Sequence, residues 1–295
     1  MKCPWTLRVP AQYSAFRSPQ SAFRRVGLCM GEQPGQWALI LGASSGMGAA
    51  TARELARAGY DIAGIHLDRR TTMPMAEEVM RDIRAAGREA HFFNGNAADE
   101  AFRIQVIADI TAMLNQRGAL GRLCVLVHSL AFGAMRKFVA EGAEAATQQQ
   151  FLTTYLVMAD SLVLWTQGVL TNKLMTSGGR IFALTSAGGR RVWSQYGVIS
   201  AAKAALEAHV RQLAVELAPL EITANAIQAG VTDTPALQKA NGYEGIIAHA
   251  LEMNPHRRLT TPEDVARAIV ALAAPGTAWM TGNVIRVDGG EDIVA

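Results

Sequence analysis

Residues 37–48 read Trp37-Ala-Leu-Ile-Leu41 and then Gly42-Ala-Ser-Ser-Gly-Met-Gly48. The apolar run predicts a buried strand, and the helical pattern over 49–58, closed by Gly59, predicts the helix that follows. Glycines in the turn between them let a backbone approach a pyrophosphate, while the helix start offers free N–H groups and a positive dipole end. The spacing is G-x-x-x-G-x-G, not G-x-G-x-x-G, and a glycine cluster alone can equally serve helix packing. Strand, turn and helix in this order favour a dinucleotide site, with Gly42, Ser44, Ser45, Gly46, Met47 and Gly48 as candidates to line it.

The same alternation continues outward. Strand patterns fall at 61–67, 90–93, 122–127, 180–184 and 222–227, and helical patterns at 76–86, 99–116, 148–170, 196–218 and 262–273. This rhythm implies right-handed crossovers and an α/β fold: a single doubly wound Rossmann-type domain over 36–295, its parallel sheet flanked by helices on both faces. Ligands of such sheets sit at the carboxyl ends of the strands. Those ends carry Asn96 and Ala97, then Ser129, Leu130 and Ala131, and after the sixth strand Gly230, Val231, Thr232 and Thr234. Residues 235–256 read as a more irregular segment.

The end of the second strand selects the dinucleotide. A carboxylate there accepts from the adenosine ribose and repels a 2′-phosphate, which Arg or Lys attracts. The chain reads Ile65-His-Leu-Asp-Arg-Arg70. His66 takes the acid's place, Asp68 comes two residues late, and Arg69 and Arg70 follow. NADP(H) is favoured and NAD(H) stays open; the arginines also fit a solvated loop.

Half of the 295 residues are apolar, enough for a full core, and no apolar run has the length of a membrane span. Cys3, Cys29 and Cys124 form no redox or metal spacing, and the odd count argues for a reducing, cytoplasmic setting. The scattered histidines suggest no metal. The formal charge of +3 is concentrated in residues 1–35, where Lys2, Arg8, Arg17, Arg24 and Arg25 face only Glu32, so the body lacks a nucleic-acid footprint. That segment is expected to be a disordered extension. It reads as an organelle transit peptide or, as favoured here, as residues upstream of a true start at Met30.

Downstream lies Ser186-Ala-Gly-Gly-Arg-Arg-Val-Trp-Ser-Gln-Tyr-Gly-Val-Ile-Ser-Ala-Ala-Lys203. Seven residues separate Tyr196 from Lys203, almost two helical turns, which puts both on one face ~10 Å apart. A nearby ammonium is expected to lower the phenol's pKa, and the phenol can donate to an oxygen gaining charge.

Together, Gly42-x-x-x-Gly46-x-Gly48, Ser186, Tyr196 with Lys203, Asn225-Ala-Ile and Val287-Asp-Gly-Gly290 make residues 36–295 resemble the short-chain dehydrogenase/reductase family. The resemblance implies a nicotinamide cofactor across the strand ends, Tyr196, Lys203 and Ser186 as catalytic residues, and usually a homotetramer. Most members place Tyr four residues before Lys, where this chain has Ile199. His128-Ser-Leu-Ala131 replaces Asn-Asn-Ala-Gly, Ala229-Gly230 replaces Pro-Gly, and Met158 stands where the relay Asn is usual. These departures look like the enoyl-acyl-carrier-protein reductases, which act on enoyl thioesters of acyl carrier protein or coenzyme A. Many of those carry a second Tyr where this chain has Ser186, a combination closer to the NADPH-using subgroup. Phe132, Tyr155, Trp193 and Met253 are weaker candidates for an acyl pocket, and Arg190 and Arg191 for a carrier contact. A ketone or secondary-alcohol reductase, for example of a 3-oxoacyl thioester, and a non-catalytic dinucleotide-binding protein remain as alternatives.

Overall fold

The computed structural model describes residues 35–239 and 242–294. Of the expected N-terminal extension, residues 1–35, all but Gly35 lies outside them. Strands β1 (Trp37–Leu41), β2 (Asp61–His66), β3 (Ala90–Asn94), β4 (Leu123–His128), β5 (Arg180–Ser186), β6 (Thr223–Ala229) and β7 (Val284–Val287) form one sheet in the order β3-β2-β1-β4-β5-β6-β7. Every neighbouring pair is parallel.

Alternation along each strand feeds two cores. Trp37, Leu39 and Leu41 face one side and pack with Ile110, Trp165, Leu206 and Val210. Ala38 and Ile40 face the other and pack with Leu55, Ile83, Val265 and Ile269. The first layer is built from α3 (Glu100–Gln116), α5 (Ser161–Thr171) and α6 (Gly197–Leu217), and the second from α1 (Gly46–Arg57), α2 (Met73–Ala85) and α8 (Pro262–Ala273). Full burial of one such aliphatic side chain is worth about 1.5–3 kcal/mol. Ala49, Ala52 and Ala56 on α1 give it a small-residue face on which α8 packs.

Two expectations are corrected. The helix expected over 148–170 is interrupted: α4 (Gln148–Tyr155) passes through a π-helical turn, Leu156–Asp160, before α5. There Ser161 Oγ donates to the Val157 carbonyl at 2.8 Å and meets His128 Nε2 at 2.8 Å, competing with the regular ladder. The segment 235–256 is not irregular throughout, since Tyr243–Met253 forms α7. Its apolar period, Tyr243, Ile246, Ile247 and Ala250, is helical but flanked by glycines. No helix among the described residues is long and apolar enough to cross a membrane.

Candidate active site

β1 lies between β2 and β4, so the strand order reverses direction there and the strand ends open a crevice. Gly42, at φ +90°, crosses that crevice beside β4, and a Cβ on it would stand 2.4 Å from the Ser129 carbonyl oxygen. A Cβ on Gly48 would stand 2.0 Å from the Gly42 carbonyl oxygen. Both positions therefore exclude any side chain. Ser45 caps α1 in extended conformation without a side-chain hydrogen bond, and no acid sits in the first turn. The helix starts α4 and α8, by contrast, are closed by capping boxes on Thr147 and Thr261. The uncapped α1 start beside two glycines that leave no room for a side chain makes a cradle that fits a pyrophosphate.

The remaining candidates gather along the same edge. Ser129 N–H donates to the Leu41 carbonyl at 2.9 Å, which brings Ser129, Leu130 and Ala131 beside the glycine turn. Thr234 stands opposite Gly46, its Cγ2 being 3.3 Å from where a Cβ would lie. Thr232 is buried and donates to the Gly230 carbonyl. Asn96 is exposed and accepts from Ala98 N–H, whereas Ala97 is buried with its carbonyl held by Trp165 Nε1 at 2.8 Å.

At the end of β2, His66 and the late acid Asp68 stand where the sequence put them. Asp68 Oδ2 lies 2.8 Å from the buried His66 Nδ1, and Asn94 brackets the Asp68 backbone with two hydrogen bonds. Burial opposes ionisation of Asp68, but hydrogen bonds from Ser44, Thr72 and His66 hold its carboxyl below the ordinary carboxylate range. The late acid is thereby turned back onto the glycine turn. Arg69 and Arg70 are exposed at the rim.

Ser186 ends β5, its Oγ accepting from Gly188 N–H at 3.1 Å. Tyr196 is the residue just before α6 rather than part of it, with near-helical φ −91° and ψ −1°. Its phenol is pushed up in pKa by burial, against a hydrogen bond with the Ser186 side chain. This corrects the expectation that Lys203 lowers it. Lys203 is 5% exposed and donates from Nζ to the Leu184 carbonyl at 2.7 Å. Burial takes its ammonium down to about 8, and the Glu207 charge acts against that shift. Ile199 is 7% exposed and belongs to a buried apolar cluster with Met158, Val157 and Ala202. Trp193 meets the Tyr196 ring edge-on at 5.4 Å between centroids, whereas Phe132 is largely exposed and Tyr155 stacks on Phe151. Arg190 and Arg191 are not an open basic lip, because both are paired with Asp292.

The sequence model described as enoyl-(acyl carrier protein) reductase matches residues 42–291, from the glycine turn to the C-terminal turn. The chain belongs to the short-chain dehydrogenase/reductase family. It is an NAD(P)-dependent reductase of that family, on its enoyl-(acyl carrier protein) reductase side. It is 30% identical over 263 residues to a 1-cyclohexenylcarbonyl-CoA reductase of Streptomyces collinus, covering 88% of each chain. It is 36% identical over 178 residues to the NADH enoyl-[acyl-carrier-protein] reductase of a Synechocystis strain, covering 59% of this chain and 66% of that one. Among solved structures, the NADH enoyl-[acyl-carrier-protein] reductase of Aquifex aeolicus superposes with TM-score 0.75 at 27% identity, over 90% of this chain and all of that one.

Three groups beside the candidate site were not among the candidates that the sequence offered. Glu207, one turn after Lys203, accepts from Thr185 Oγ1 at 2.8 Å, with both residues buried. The i, i+4 spacing to Lys203 was the available signal. His128, fully buried, is kept neutral, its pKa taken to about 3 by burial and by the Lys203 charge. Asp292 had no local signal at all.

Proposed function

We propose that the protein reduces the 2,3 double bond of an enoyl thioester carried by acyl carrier protein or coenzyme A, as in fatty acid biosynthesis. The observation that carries this reading is the buried, hydroxyl-free Ile199 four residues before Lys203, which leaves Tyr196, one turn upstream, as the phenol of the site. Met158, packed with Ile199, likewise offers no amide for a proton relay.

For a ketone, the oxygen that gains charge is bonded to the carbon receiving hydride, so its donor must stand close beside the nicotinamide. For an enoyl thioester, hydride goes to the β-carbon and charge appears on a carbonyl oxygen three bonds away. A phenol displaced by one turn, ~5 Å, suits that remote oxygen. Tyr196 donates a hydrogen bond to it, the Ser186 hydroxyl orients the phenol, and the enolate then takes a proton at its α-carbon from Tyr196 or from water. A bound nicotinamide supplies the hydride. Gly42, Gly46, Gly48 and the α1 start would hold its pyrophosphate, and Lys203 its ribose hydroxyls. Ser129, Leu130, Ala131 and the loop from Gly230 to Thr234 would flank it. Lys203 has one of its three protons on Leu184, which leaves two for that task.

For the dinucleotide, exposed Arg69 and Arg70 support NADP(H). NAD(H) is the second reading, carried by the Asp68 carboxylate beside Ser44, where it would repel a 2′-phosphate. A cytoplasmic homotetramer completes the proposal by family analogy. Oxidation of NADPH and of NADH, each followed with crotonyl-coenzyme A and with an acetoacetyl thioester, tests it. Turnover of the acetoacetyl thioester alone would make the protein a ketone reductase.

A further inference from the structure

The C-terminal turn Glu291–Ile293 reaches both loops that flank the site. Asp292, whose side chain is 5% exposed, stands between them. Its Oδ2 accepts from Arg190 Nη2 at 2.6 Å and from Gln228 Nε2 at 3.0 Å, and its Oδ1 pairs with Arg191 Nε at 2.7 Å. Arg191 Nη2 also donates to the Asp292 carbonyl at 2.8 Å, and Arg286 Nε lies 3.4 Å from Oδ2. One carboxylate thus gathers three guanidinium groups and a fully buried glutamine on β6. Beside it Glu291 accepts from Val231 N–H at 3.1 Å, on the loop after β6.

What Asp292 holds is the connection from Ser186 to Tyr196. That connection is short of regular structure. Arg190 and Arg191 N–H both donate to the Ala187 carbonyl, Tyr196 N–H donates to Trp193, and Gln195 sits at φ +63°, a left-handed conformation disfavoured for glutamine. Apolar packing holds it at Trp193, against the Tyr196 ring, but not at Val192, which is 96% exposed. A disfavoured residue directly before the phenol persists only where its surroundings over-determine it.

We propose that Asp292 is a positioning residue for Tyr196: through Arg190 and Arg191 it anchors the loop that delivers the phenol to the site. The inference rests on the catalytic role of Tyr196 proposed above. Burial works against ionisation of Asp292, yet Gln228, Arg191 and Arg190 hold its carboxyl below the ordinary carboxylate range, so the anchor stays charged at neutral pH.

The test uses Asp292→Asn, which keeps the shape and removes the charge, and Arg190→Ala, which changes a half-exposed side chain. Each variant is expected to lower kcat by about tenfold or more, since a displacement near 1 Å can cost ~10²-fold. Dinucleotide affinity, read by NAD(P)H fluorescence titration, stays at the wild-type value. Hydrogen exchange at the amides of Arg190, Arg191 and Tyr196 speeds up while that of β1 does not. The double variant is no worse than Asp292→Asn alone, because that change already removes the charge that Arg190 meets. Wild-type kcat in folded Asp292→Asn, additive losses, or a joint loss of turnover, dinucleotide binding and β1 protection would each overturn the proposal. The exchange measurement needs no substrate. A wild type inactive on every thioester would therefore remove the proposed reaction alone, whereas unchanged exchange at the three amides would overturn the positioning role itself.

Discussion

Lys203 donates from Nζ to the carbonyl oxygen of Leu184 across 2.7 Å, tying the first half of α6 to the end of β5. The bond fixes where the ammonium stands without neutralising it, and burial makes that charge costly. The Lys203 pKa falls from 10.5 to about 8. Between those values the unfolded chain holds a proton that the folded chain has released, so this group's contribution to stability rises with pH across the window. Ribose binding by the ammonium runs the other way. We expect kcat/KM to fall above pH 8, while denaturant-measured stability relative to Lys203→Met rises from pH 8 to 10.5. Parallel falls in both quantities would contradict this.

Glu207→Gln keeps a hydrogen-bond partner for Thr185 but removes the negative charge that supports the Lys203 ammonium. The lysine should then lose its proton at lower pH. The alkaline limb of the kcat/KM profile is expected to move toward neutrality with little change in Tm. A purely structural Glu207 would show the reverse pattern.

Tyr196→Phe removes the hydroxyl and leaves the ring that packs against Trp193 and Gly188. Loss of an oxyanion donor costs ~10²–10³ in turnover, and at least about a tenfold loss on crotonyl-coenzyme A is expected here. Dinucleotide binding should survive. Wild-type turnover by the phenylalanine variant would end the assignment.

Gly48→Ala puts a methyl group 2.0 Å from the Gly42 carbonyl oxygen, a contact that backbone atoms cannot absorb without moving. Overpacking of this kind typically costs about 1–3 kcal/mol. The turn must open, so NAD(P)H affinity should drop sharply, and fluorescence titration beside a thermal melt separates the two effects.

Asp68→Ser withdraws the carboxylate that stands beside Ser44, and Arg69→Ala with Arg70→Ala withdraws the rim cations. The first change should raise kcat/KM with NADPH relative to NADH, and the second should lower it. The wild-type ratio tells which of the two groups dominates.

Six strands came through from the sequence within about two residues, because buried parallel strands are near-continuous apolar runs. The π-turn at Leu156–Asp160 did not. One inserted residue hardly alters a pattern that is apolar on most sides, and the His128–Ser161 contact beside it joins residues 33 apart in sequence. The helix α7 was masked by Gly242 and Gly245, although the period of Tyr243, Ile246, Ile247 and Ala250 was present.

At the site, the glycine turn, the Tyr196–Lys203 spacing and the absence of a hydroxyl at Ile199 were settled by sequence alone, since each is a matter of residue type at short range. The tertiary structure decided how those groups are tuned. Burial, and not Lys203, sets the Tyr196 phenol, the late Asp68 folds back onto Ser44, and Asp292 meets Arg190 from 102 positions away. Charges and hydrogen bonds act through space at a few ångströms, and no local pattern records which distant strand end or chain terminus will lie within that range.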